Sequence, residues 1–221
     1  TVLTWYAHTS GRCGPVVASA AVTLVSSLTA PGLGQAAMTG TFAGMSGIGL
    51  VPSWQAAVGL GAATSLLFEA FIHYWNLFLG LGGRLGFLSF LAINTVAALQ
   101  RISPHLAATS LAAVRTPVVL PMVLGAVGSV ATIALREGND EAPAADPIRA
   151  AAIIGVVAGL LVGVVPAYTD FGAACVYGGA FTGMSLPSRL LYGVIPGKKP
   201  PAHTEEGRAA QAVEMRPPSV L

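Results

Sequence analysis

Charge is what this chain has least of. Charged residues make up 9% of its 221 positions, where a soluble domain carries roughly a quarter. So few charges cannot coat a water-facing surface of this size, and a bilayer is the expected solvent. Lysine occurs only at Lys198 and Lys199, outside every apolar stretch, which excludes a retinal-type Schiff base. No H-E-x-x-H, no P-loop and no G-x-S-x-G is present, so the common metalloprotease, nucleotide and hydrolase signatures are missing. No pair of histidines takes haem-like positions within the apolar segments. Cys13 and Cys175 lack metal-ligand spacing and are read as two small apolar residues. No basic patch interleaved with aromatics occurs, so no nucleic-acid partner is expected. Neither are a metal, a cofactor or an enzymatic activity.

What is present is apolar. Residues of the AVILMFWYC set form 54% of the chain, and between positions 15 and 100 the only charges are Glu69 and Arg84. A hydrocarbon core takes about 20 apolar residues per helix. The pattern predicts an all-α, polytopic membrane helical bundle of about seven segments, at 15–30, 34–50, 54–75, 85–100, 116–135, 150–165 and 170–187. Pro and Gly punctuate the ends, as at Pro31-Gly32 and Pro52-Ser53. Residues 1–14 read as an N-terminal flank with Trp5 and Tyr6 as interface anchors. Residues 15–192 read as the transmembrane domain, and 193–221 as a polar, Pro-rich, disordered tail. The chain starts at Thr1 rather than Met, which leaves room for upstream spans.

Orientation follows from Arg and Lys. If all seven segments cross, Arg84, Arg136, Arg149, Arg189, Lys198, Lys199, Arg208 and Arg216 share one side, and Arg12, Arg101 and Arg115 the other. The excess places the C-terminus in the cytoplasm. The Ala/Gly-rich usage fits a bacterial inner membrane.

The most informative feature is a repeat. Gly40-Thr41-Phe42-Ala43-Gly44-Met45-Ser46 returns as Gly179-Ala180-Phe181-Thr182-Gly183-Met184-Ser185. The shared pattern is G-x-F-x-G-M-S. Each copy follows an apolar segment ending in Pro (Pro31, Pro166) and precedes a Pro-Ser pair. Glycines four apart let membrane helices approach closely, and Gly155, Gly159 and Gly163 repeat the device. In a seven-span chain the two copies point in opposite directions. An inverted repeat on short, Gly-interrupted segments points to a transporter-type site at the midplane, with half-helix N-termini near Gly34-Gln35 and Thr169-Asp170.

Glu69 and His73 lie four apart, hence on one helix face. Ionisable residues within spans mark pathways or partners, and burial would raise the Glu69 carboxyl's affinity for a proton. Asn94 is expected to bond across helices, Asp170 to cap the last segment, and Arg84 to anchor at an interface. The Gly44-Met45-Ser46-Gly47 stretch resembles the G-x-S-G of rhomboid-type intramembrane serine proteases. That family would place its histidine on a later span than His73 occupies, and the second copy has no matching histidine, so the motif reads as structural. The function expected is passage of a small solute or ion, as a transporter or channel subunit. Glu69, His73, Ser46, Ser185, Gly44, Gly183, Phe42, Phe181 and Asp170 would line the path. The partners expected are lipid, the solute, and further copies or other membrane subunits. The alternative is a non-catalytic subunit that packs within a larger membrane complex.

Overall fold

A computed structural model describes residues 1–10, 13–72, 81–99, 119–137, 146–162, 164–165 and 169–185. The chain divides into two compact units, residues 1–184 and 185–221. Of the second unit only Ser185 is described. The protein is all-α, with eight α-helices and no strand among the described residues. They are α1 (Val2–Ser10), α2 (Pro15–Thr29), α3 (Gly34–Ala43), α4 (Trp54–Ala70), α5 (Gly83–Leu99), α6 (Val119–Glu137), α7 (Pro147–Leu161) and α8 (Asp170–Gly183).

Local chemistry sets the boundaries. Pro15 and Pro147 occupy the first helical position of α2 and α7, where the missing N–H is no loss and φ is already helical. Asp146 caps α7 by accepting from the Ile148 and Arg149 amides at 2.8 and 3.0 Å. Ser53 caps α4 by accepting from Ala56 N at 3.2 Å. A 3-10 turn, Pro31–Leu33, reverses the chain between α2 and α3.

Within α6, Val119–Arg136 is the one described helix long and apolar enough to cross a bilayer. The six other segments foreseen as spans hold helices of 10 to 17 residues. The stretch foreseen as a flank holds α1, which packs on α2, α3 and α4. Trp5 is half-buried, and its indole N–H donates to Val51 O at 3.0 Å in the loop after α3. Tyr6 is exposed.

Two packing relations organise the first unit. The first three helices contact one another, and so do α6, α7 and α8. The groups meet along α2 and α7. A Cβ on Gly159 would strike Val17, and one on Gly155 would strike Ala20. Further along, the Arg149 guanidinium donates to Ser27 O at 2.9 Å. Contacts that pair rising numbers on α2 with falling numbers on α7 make these helices antiparallel.

Candidate functional site

The two G-x-F-x-G-M-S elements end α3 and α8, and their aromatic residues meet. The Phe42 and Phe181 rings stack edge to face, 4.4 Å apart at the centroids. Tyr177 completes a triangle, 5.1 Å from Phe42 and 5.4 Å from Phe181. Edge-to-face rings place the positive rim of one on the negative face of another, worth about 0.5–1.5 kcal/mol beyond burial.

The glycines of both elements face helices of their own group. A Cβ on Gly44 would lie 2.5 Å from Thr1 O and 2.8 Å from Thr4 Cβ on α1. A Cβ on Gly183 would lie 2.5 Å from Ser129 O and 2.8 Å from Thr132 Cβ on α6. Gly40 faces Thr1, and Gly179 faces the Gly125 carbonyl. The correspondence extends to the next turn. His8 Nε2 lies 3.2 Å from Ser46 O, and the Arg136 guanidinium donates to Gly183 O at 3.3 Å. A ring nitrogen thus serves a carbonyl three residues beyond the end of α3, and a cation serves the last carbonyl of α8, where orphan acceptors carry partial negative charge. Gly44 and Gly183 are therefore packing positions. The backbone they expose is covered by a neighbouring helix.

Ser46 is buried, and its hydroxyl donates to Ala43 O at 2.8 Å. Ser185 is buried and belongs to the second unit. Glu69 is exposed rather than buried. It stands at a cavity of about 70 Å³ between α3 and α4, lined also by Ala36, Gly40, Thr64, Ser65 and Phe68. Gly40 belongs to the first repeat element, so the cavity joins Glu69 to that element. His73 and Arg115 lie outside the described residues.

Three expectations change. Asp170 does not cap α8. It is the first helical residue, Thr169 holds the cap position without a side-chain bond, and the exposed Asp170 carboxylate approaches Gly14. In the first turn it still complements the helix dipole. Asn94 does not bridge helices, because its side-chain amide donates to Phe90 O one turn back at 2.7 Å, the local alternative open to short polar side chains. Arg84 is packed within the chain, 7% exposed, rather than set on its surface. Gln35 is exposed at the start of α3.

A set of hydroxyl residues beside the ring triangle has no signature in the residue pattern. Ser19 and Thr23 on α2, Thr41 on α3 and Tyr177 on α8 are all buried. Thr23 and Thr41 share a hydrogen bond of 2.7 Å. Serine and threonine are common in small-residue helices, so nothing in the pattern marks these four. Among the described residues no group of His, Cys, Asp or Glu is placed to hold a metal ion. Comparison of the chain with protein-family models, curated proteins and solved structures returns no match in any of the three.

Proposed function

We propose that this chain is an integral membrane protein that passes a small solute or ion between two inverted helical repeats. The repeats are α1–α3 and α6–α8, related across the antiparallel α2–α7 seam. The observation that carries this reading is the matched set of contacts: Gly44 on Thr1 and Thr4, Gly183 on Ser129 and Thr132. Seven-residue similarity alone arises readily in a Gly/Ala-rich chain, whereas the same neighbours at the same spacing on a second helix do not. Inverted repeats with short helices are the architecture of membrane transporters, whose sites lie where the repeats meet. Here that place is the Phe42–Phe181 contact. With ten residues, α3 is about 15 Å long, half of a hydrocarbon core of about 30 Å. The apolar groups that α6 leaves exposed, including Val119, Met122 and Val130, suit lipid. Glu69, at the cavity beside Gly40, would bind a proton or cation at the entrance.

The alternative is a non-catalytic subunit that packs against other helices in a larger complex. It draws on Gly59 and Gly178, where an added Cβ would meet nothing. Against it, the glycines of both repeat elements are spent on contacts within the chain.

The test is flux in proteoliposomes across a panel of ions and small solutes, wild type against Glu69→Gln. Flux above empty vesicles, reduced in the variant, is the expected result. No flux for any probe moves the assignment to the packing subunit.

A further inference from the structure

The cavity at Glu69 has a chemically one-sided lining. Thr64, Ser65, Phe68 and Glu69 come to it from α4, Ala36 and Gly40 from α3. Ser65 and Glu69 are four apart, as are Thr64 and Phe68, so one side of α4 presents them all. The polar side chains among these residues carry oxygen only: one carboxylate and two hydroxyls. Thr64 Oγ1 donates to Leu60 O at 2.7 Å, so toward anything else it offers lone pairs. An anion would meet the Glu69 carboxylate, with the Ser65 hydroxyl as its one side-chain donor.

The repeat itself does not require this cavity. Ala36 and Gly40 correspond in the second repeat to Cys175 and Gly179, and both of those lie against Gly125 of α6. On α3 the matching residues border open space with an acidic lining instead.

Size and charge narrow the guest. The cavity measures about 70 Å³, and about 10–15 Å³ is enough for one water, so an ion can enter with some of its hydration. One carboxylate balances one positive charge. A divalent ion would keep a net charge beside Phe68, and calcium takes about 6–8 oxygens. Zinc and copper favour imidazole or thiolate, neither of which is in this lining. A carboxylate is a strong-field oxygen, which holds the smaller sodium ion better than potassium.

We propose that Glu69, Ser65 and Thr64 bind one partly hydrated sodium ion against the Gly40 backbone. The ion ties α4 to α3, the helix that ends in the first repeat element. Its role as the transported or driving ion rests on the transport function stated above; the binding site does not.

The experiment uses the full chain in detergent micelles at one mildly alkaline pH. Sodium chloride is titrated against potassium, calcium and choline chloride at constant ionic strength, and the thermal unfolding midpoint is read. A ligand that binds only the folded state raises that midpoint saturably. Sodium should raise it by a few degrees, potassium only at higher concentration, and choline not at all. Glu69→Gln should abolish the sodium response. Ser65→Ala should raise the apparent Kd roughly fivefold, the worth of one oxygen contact. Both positions are exposed, so both variants should match wild type in choline, and either one suffices if the other fails to fold. A sodium response no larger than that of choline, or unchanged in the variants, overturns the site. A stronger response to calcium than to sodium overturns the monovalent assignment. Uptake of radiolabelled sodium into proteoliposomes separates the site from the transport reading. Uptake without a midpoint response overturns the site and leaves transport standing. A midpoint response lost in Glu69→Gln, with no passage of sodium or of any solute, keeps the site and overturns its transport role.

Discussion

The first three helices and the last three solve the same packing problem with different materials. In the last three, Gly179 approaches the Gly125 backbone directly and α6 runs for 19 residues. In the first three, Gly40 faces the side chain of Thr1, with 3.3 Å to the place a Cβ would take, and α1 has nine residues. The outer face differs too. On α3, Ser89 of α5 donates to Thr39 O at 2.7 Å, and Thr39 is buried. On α8 the matching position is Gly178, which is exposed. At Gly179 the contact is backbone to backbone and at Gly40 it is to a side chain, whereas Gly44 and Gly183 both approach a backbone carbonyl. The lesson is that a repeat can keep its geometry while changing what supplies the energy.

Substitutions can break that contrast. The largest effect belongs to Gly179→Ala, whose methyl would run into the Gly125 carbonyl; backbone cannot yield as a side chain can. About 3 kcal/mol of destabilisation is expected, the upper end of overpacking costs, against under about 1 kcal/mol for Gly40→Ala. Unfolding midpoints in mixed detergent micelles compare the two, and equal losses would erase the distinction. Next comes Gly155→Ala at the seam, where the added methyl would lie 2.6 Å from the Tyr177 ring. A cost of about 2 kcal/mol is expected, with a change in tyrosine fluorescence as the ring is displaced. Asp146→Ala removes both cap bonds of α7 and should cost about 1 kcal/mol. Gly14, at the same place before α2, has no side-chain cap, but a Cβ there would meet Asp170 Oδ1 at 3.0 Å, so Gly14→Asn should gain less than that amount. The smallest effect is at the helix ends. Arg136→Gln should cost about 1 kcal/mol and His8→Gln less, because charge-assisted bonds to carbonyls are the stronger; thermal stability in one detergent ranks them.

Much of the architecture is legible in the residues, for identifiable reasons. All seven apolar segments contain helices, because Pro, Gly and capping residues mark their ends. The repeat elements announce themselves through Phe42 and Phe181 as well as glycine, and those rings do meet. What escapes is whatever depends on a neighbour distant in sequence. α1 has no long apolar run, so nothing local predicts that Thr4 is wholly buried beneath Gly44. His8 reads as an ordinary flank residue until α3 brings Ser46 O to it. Asn94 and Asp170 were placed by residue type, but a bond to the preceding turn and a one-residue shift of the helix start decide their roles. The four hydroxyls lie on three helices; Ser19 and Thr23 are one turn apart on α2, but only the fold brings Thr41 and Tyr177 to them.

The α2–α7 seam has a mechanical consequence. Where Gly155 and Gly159 face Ala20 and Val17, small groups lie against bare backbone, and the Tyr177 ring of α8 rather than a side chain of α2 closes over Gly155. Such a surface resists sliding weakly. The register of one half against the other must then be held elsewhere, and Arg149, anchored to Ser27 O near the end of α2, is placed to hold it. The arrangement is that of a bearing with a pin at one end, where a long side chain reaches across from one helix to a carbonyl of the other.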